Sequence, residues 1–362
     1  MTDKTEVAEA DATFEQEDSE QPIPPADIVA YNELRSCADL FRMHASGKLE
    51  IQPDFQRDVV WKQDEQSRFI DSLVKQLPIP SMCFSLDYKT QRWKVIDGLQ
   101  RMSSIIRFLA SAEWKLSDLS DIHPSLRNTK NSDLRNGTDE QNRLYALVED
   151  VSIPVTVIRC DYTQRSHMLY LFTIFHRLNS GGVRLTNQEI RNCIYTGPFN
   201  NLLKDFDRHN TDWKFVKRRI WGSMDRFRSV EVVLRVLAFA EDRQKYDGNL
   251  ARFLNEYMHR RSNESAEVLD AVANRLKAIS KRAREALTNE TQKKLPLLLV
   301  EALMVAMYAQ GEELDGRTTE QITQAYNNMR AHPSFVASAR YAVTSSDNVR
   351  TRLNAAVQAF AA

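Results

Sequence analysis

Val95-Ile96-Asp97-Gly98-Leu99-Gln100-Arg101 passes from an apolar extended segment through a glycine into a polar helix start. A glycine there lets the backbone approach a ligand closely, the first amides of a helix lack partners, and the helix dipole favours an anion at that end. Arg101 adds a fork-shaped guanidinium suited to a phosphate. The same residues can also satisfy one another, because Asp97 as N-cap with Gln100 three positions on makes a capping box that needs no ligand.

Three further groups carry chemistry of the same kind. Between Ile51 and Trp61, Gln56 and Arg57 can meet a base or a phosphate; alternatively Phe55 and Trp61 pin the loop while Arg57 makes a surface ion pair. Phe175 and Asn179 stand four apart on one helix face, so a base can stack near the ring while the amide or the glycine-rich turn after it contacts phosphate or sugar. In that turn Thr186 and Glu189 form a second capping-box pattern, and Asn179 also reads as a helix end before a glycine stop. Last, Lys214, Lys217, Arg218, Arg219, Arg226 and Arg228 interleave with Trp213, Phe215, Trp221 and Phe227. That pattern suits a surface that follows a nucleic-acid backbone, or a solvated helix end whose aromatics pack inward.

The elements that must position these groups follow from periodicity. Ile28 to Leu34 reads as a strand, Ser36 to Ser46 as a helix stopped by Gly47, and Leu49 to Gln52 as extended. Phe69, Ile70, Leu73, Val74 and Leu77 recur at helical spacing until Pro78. Met82–Asp87 and Arg92–Ile96 form a hairpin that feeds the Gly98 turn, and Leu99, Met102, Ile105, Ile106 and Leu109 line one face of the next helix. Residues 117–145 look like a polar excursion, followed by a buried strand at Ile153–Arg159 and an apolar helix at Arg165–Leu178. Beyond Thr196 only helical patterns occur, clearest at Ser229–Glu241, Ala266–Leu287, Leu297–Ala309, Thr319–Ala331 and Asn348–Phe360. The expected organisation is an acidic disordered leader (1–27), a small mixed-sheet α+β domain (28–196) and an all-helical domain (197–362).

The formal net charge of +0 conceals an asymmetry. Residues 1–27 hold nine acids and one base, which leaves 48 bases against 40 acids and a basic body suited to a polyanionic partner such as DNA. Four scattered cysteines with no CxxC pair read as reduced thiols of a cytoplasmic protein. The acidic N-terminus lacks the apolar stretch of a signal peptide, and Leu295–Ala309, interrupted by Pro296 and Glu301, is too short to cross a membrane.

Taken together, the order and wording of these blocks resemble the N-terminal, GmrS-like domain of GmrSD-type modification-dependent restriction systems, a family related to the ParB and sulfiredoxin fold. The resemblance covers roughly Ile28 to Tyr195 and extends weakly into Arg226–Leu237. The family's Asp-Gly-Gln-Gln-Arg motif is matched at Asp97, Gly98, Gln100 and Arg101, its Phe-Gln-Arg block at Phe55, Gln56 and Arg57, and its second motif at Phe175 and Asn179. It implies a ParB/sulfiredoxin-like sheet and nucleoside triphosphate binding, with Gln56, Arg57, Gly98, Gln100, Arg101, Phe175 and Asn179 around the nucleotide. Asp97 would stand near Mg²⁺, and Asp97 and Arg101 would be the catalytic pair of a weak or partner-dependent NTPase. It also implies recognition of modified DNA, control of a nuclease and an anti-phage defence role, with homo-oligomerisation left open. Leu99 departs from the motif: a leucine can neither attack nor orient water, so sulfiredoxin-like chemistry is excluded there and hydrolysis is weakened while binding survives. That leaves a non-hydrolysing DNA-binding or partner-docking protein on the same fold as the alternative. The seven histidines form no cluster after residue 197 of the kind a His-Asn-His nuclease needs, so the sequence predicts a separately encoded nuclease.

Overall fold

Five strands, Val29–Ser36 (β1), Leu49–Glu50 (β2), Met82–Asp87 (β3), Trp93–Asp97 (β4) and Ser152–Cys160 (β5), form one mixed sheet of order β1-β5-β3-β4-β2, with β3 and β4 buried along nearly their whole length. The computed structural model describes residues 24–51, 61–110, 113–178, 185–221, 227–314 and 316–361. β1 and β5 are antiparallel, β5 and β3 parallel, β3 and β4 an antiparallel hairpin with a register shift at Cys83/Phe84, and β2 lies parallel to β4. Helices Cys37–Ala45 (α1), Gln63–Val74 (α2), Leu99–Leu109 (α3), Asn131–Asn136 (α4) and Asp139–Asp150 (α5) precede β5, and Arg165–Leu178 (α6) follows it. Strand side chains alternate between faces, so Phe84, Trp93, Val95, Val155 and Val157 meet Leu40, Ile70, Leu73, Ile105 and Val148 in one buried cluster. α6 packs against β4.

The stretch expected to be an excursion contains two helices. Thr138 caps α5 through a capping box with Gln141, and Leu134, Leu144, Tyr145 and Val148 are buried. Too few apolar positions fall within each short helix to make the period visible in the sequence.

From Leu185 onward the chain forms a second, wholly helical unit. It comprises Asn187–Ile194 (α7), Pro198–His209 (α8), Thr211–Arg218 (α9), Arg228–Asp242 (α10), Leu250–Arg261 (α11), Ala266–Thr288 (α12), Leu297–Gln310 (α13), Thr319–Ala331 (α14), Pro333–Ser338 (α15) and Ser346–Ala361 (α16). α13 is buried from Leu297 through Tyr308, which explains why its sequence is apolar all round. Its neighbours α10, α12 and α16 pack against it. Among the described residues, no helix is long and apolar enough to cross a membrane. All four cysteines are free and buried, and burial pushes the Cys37, Cys83 and Cys160 thiols up to about 12.

Candidate functional site

β4 ends at Asp97, and the chain turns into α3 through Gly98, whose φ of +94° and ψ of 16° lie in the left-handed region. Gly98, not Asp97, is the N-cap of α3 and gives no side-chain cap, so the expected Asp97–Gln100 capping box does not form. Asp97 is still within the strand, and its Oδ2 accepts instead from Arg101 Nη2 at 2.9 Å, one helical turn on. The glycine is required twice over: a Cβ at Gly98 would stand 2.5 Å from Cγ of Met82, which is fully buried at the start of β3.

Arg101 braces the turn. It donates to the carbonyl oxygens of Pro80 and Ser81, the residues that lead into β3, as well as to Asp97. Its side chain is 14% exposed; burial lowers its pKa, and the Asp97 charge and hydrogen bond work against that. The Asp97 side chain is 35% exposed and its Oδ1 has no partner among the described residues, an arrangement that suits one-oxygen contact with a hydrated divalent ion. Among the described residues, no group of three or more His, Cys, Asp and Glu is placed to hold a metal by itself.

Gln100 joins two of the blocks: its Oε1 accepts from the backbone N–H of Trp61 at 3.4 Å, and Trp61 packs on Phe69 of α2 with ring centroids 5.6 Å apart. Phe175 lies in α6, which packs against β4, but the ring is 2% exposed and part of the interior, so no face of it is presented to solvent for a base. Gln56, Arg57, Asn179 and Arg226 lie outside the described residues. Met82 and the Pro80 and Ser81 carbonyls escaped the sequence reading, since a backbone acceptor leaves no mark on composition. Leu99 is half-buried and packs against the core cluster, as its position on the apolar face of α3 predicts.

The basic surface divides. Trp213 and Val216 are fully buried, and Lys217, four residues after Trp213, falls on the same inward face of α9. Asp207 of α8 accepts from Trp213 Nε1 at 2.7 Å and from Lys217 Nζ at 2.9 Å, so Lys217 is committed within the protein and is not a phosphate contact. Arg219 is committed likewise, donating to the carbonyls of Glu290 and Gln292 at 2.8 Å each. Arg218 and Arg228 are exposed and Lys214 half-exposed. Lys217→Ala is therefore expected to cost about 1–3 kcal/mol of stability by stranding the Asp207 carboxylate, which denaturant unfolding of both proteins checks.

A strand-to-helix glycine turn at the end of a mixed five-stranded sheet, with an acidic strand terminus and an arginine in the first helical turn, is the feature of this small α+β domain that most resembles a ligand site. Residues 37–196 match the model of the GmrSD restriction endonuclease N-terminal domain. That region is similar to the N-terminal domain of this restriction-system family. Nothing matches the chain among curated proteins or among solved structures.

Proposed function

We propose that the protein is a nucleoside triphosphate-binding regulatory component of a DNA-modification-dependent restriction system, working with a separately encoded nuclease. The observation that carries this reading is the strand-to-helix turn at Gly98, where the first amides of α3, which have no acceptor within the helix, follow the half-buried Asp97 carboxylate. In this reading those amides and Gln100 hold the phosphates, and Asp97 Oδ1 contacts the hydrated Mg²⁺. When bound, Mg²⁺ would neutralise charge on the phosphate oxygens. Arg101 reaches a phosphate by exchanging one of its carbonyl partners, and DNA would meet Lys214, Arg218 and Arg228, which border solvent.

Calorimetric titration with Mg²⁺ and each of the four ribonucleoside triphosphates tests the proposal; absence of heat and of thermal shift with all four would remove it. Arg101→Ala is expected to weaken binding by about 1.5–3 kcal/mol, the scale of a charge-assisted contact. Gln100→Ala, which leaves the Arg101 brace in place, serves as the second variant.

Leu99 makes hydrolysis slow. A glutamine there restores a group able to orient water, and Leu99→Gln is expected to raise phosphate release by about 10- to 100-fold with affinity almost unchanged. Because Leu99 rests on the core, the same change costs about 1–2 kcal/mol of stability. Phosphate release and melting are measured on both proteins. Brisk turnover by the wild type would contradict the reading of a slow site, and a variant that melts lower and stays inactive would assign Leu99 to packing alone.

A further inference from the structure

In the helical unit α9 and α12 pack side by side and together carry a basic surface. α12 buries Leu269, Val272, Leu276, Ile279 and Ala283 along one stripe, so Lys277, Lys281 and Arg284, spaced by four and then three residues, fall together on its solvent side, all exposed. Arg284 joins this ridge to α9. Its Nη1 donates to Asp212 Oδ1 at 2.8 Å, and its guanidinium lies over the Phe215 ring, 5.5 Å from the centroid. On α9, Trp213 and Val216 turn inward, which leaves Lys214 and Arg218, four apart, on the outward side. Arg219 then clamps the loop after α12: it donates to the Glu290 and Gln292 carbonyls, and its own carbonyl accepts from Leu295 N–H at 2.7 Å. Exposed Lys293 and Lys294 are thereby held beside the end of α9.

The acids of these elements do not neutralise the surface. Asp212 is taken by Arg284, and Glu285 by Arg282 on the flank of α12 toward α14, where Glu285 also accepts from Thr319, next to Glu320. Glu290, its side chain 9% exposed, turns to Tyr326 and Arg330 of α14. On α8, Asp207 is held by Lys217, and Asp205, two residues earlier, falls on the other side of that helix. Glu267 and Asp270 stand about 10 Å or more up α12 from Lys277. Lys214, Arg218, Lys277, Lys281, Lys293 and Lys294 make no ion pair among the described residues. A fixed ridge of one sign raises the potential over its surface and draws a polyanion to it.

We propose that the α9–α12 surface docks the backbone of double-helical DNA without regard to sequence, with Lys277, Lys281, Lys293 and Lys294 as phosphate contacts beside Lys214 and Arg218. The inference rests on the DNA-dependent function proposed above and says where on the helical unit the duplex lies. Duplex DNA carries one charge per about 1.7 Å of axis, and Lys277 to Arg284 spans about 10 Å of helix, so the ridge meets several phosphates at once. Surfaces for unpaired strands offer open aromatic faces for stacking; here Trp213 is fully buried and Arg284 covers a face of Phe215. Contacts of this kind position a duplex and carry no sequence information.

Fluorescence anisotropy of the full chain with labelled duplex DNA, a single strand of equal length and polyglutamate, across a salt series, tests this. Lys277→Ala with Lys281→Ala, and Lys293→Ala with Lys294→Ala, are each expected to weaken duplex binding about ten-fold and to lower the slope of log affinity against log salt by about two, alike for duplexes of unrelated sequence. Lys48→Ala with Lys115→Ala removes the same charge from exposed positions of the sheet unit and leaves binding within about two-fold of wild type. All six lysines are exposed, and melting curves confirm that the variants fold. Absence of salt-dependent duplex binding by the wild type would remove the DNA part of the proposed function along with this inference. Wild-type binding that survives in both helical-unit variants, or falls equally in the sheet-unit control, would overturn this surface alone, as would tighter binding of the single strand or of polyglutamate than of the duplex.

Discussion

Gly98→Ala is expected to destabilise the sheet unit by about 2–6 kcal/mol. Holding a residue with a side chain at φ +94° costs about 1–3 kcal/mol, and forcing a methyl group 2.5 Å from Cγ of Met82 adds about 1–3 kcal/mol of overpacking. In a unit of this size each kcal/mol moves the melting temperature by about 2–4 °C, so a drop of roughly 10 °C is the central expectation. The steric and backbone contributions separate in a cycle with Met82→Ala: relief of the clash makes the double variant less unstable than the two single costs combined. A Gly98→Ala protein melting within a degree or two of wild type would show that the turn relaxes without strain and that the glycine is there for ligand access alone.

The second large effect belongs to Glu231. Removing it by Glu231→Ala leaves Arg191 and Arg235 facing each other without the carboxylate that holds them, at an expected cost of about 3–5 kcal/mol. That is a large share of the stability of an ordinary domain. Burial pushes the Glu231 pKa up, but the attraction of Arg235 and Arg191 outweighs it and the carboxyl lies below the ordinary glutamate range. A carboxyl depressed in the folded state is proton-poor relative to the unfolded chain, so its stabilisation is complete above the unfolded value near 4.5 and is lost as pH falls through the folded one. Glu231→Gln removes the charge at nearly constant shape, so unfolding free energies of wild type and variant converge as the solution is acidified. Curves that remain parallel from neutral to acid pH would exclude Glu231 as the group responsible.

The sequence carried the sheet and most helices in its periodicity. α6 was legible from its start at Arg165, because fourteen described residues give the apolar stripe room to repeat and Pro- or Gly-type breakers lie outside them. The hairpin was legible as two extended runs around a polar turn, whereas the pairing of β5 with β1 and β3 was not. Contacts that depend on what comes near in space were not. Asp97 looked like a helix cap because its side chain is chemically able to cap, yet the strand extends one residue further and hands it to Arg101. Lys217 looked like a phosphate ligand in a basic run, although its four-residue spacing from Trp213 already placed it on the buried face. The Arg191–Glu231–Arg235 cluster had one visible trace, a charged pair four apart inside the apolar run Val230–Val236. Only the fold brings α7 against α10 to complete it.

The Arg101 brace has a thermodynamic corollary. The guanidinium has a fixed number of N–H groups, and those now directed at Pro80 and Ser81 cannot also serve a bound anion. If a phosphate recruits Arg101, the carbonyls at the entrance to β3 lose a donor and the Met82 segment loosens; conversely, anything that stiffens that entrance weakens phosphate affinity by the same factor. The turn and the neighbouring strand are in this way coupled as antagonists, and amide hydrogen exchange at Met82 and Cys83 would rise, not fall, on saturation with ligand.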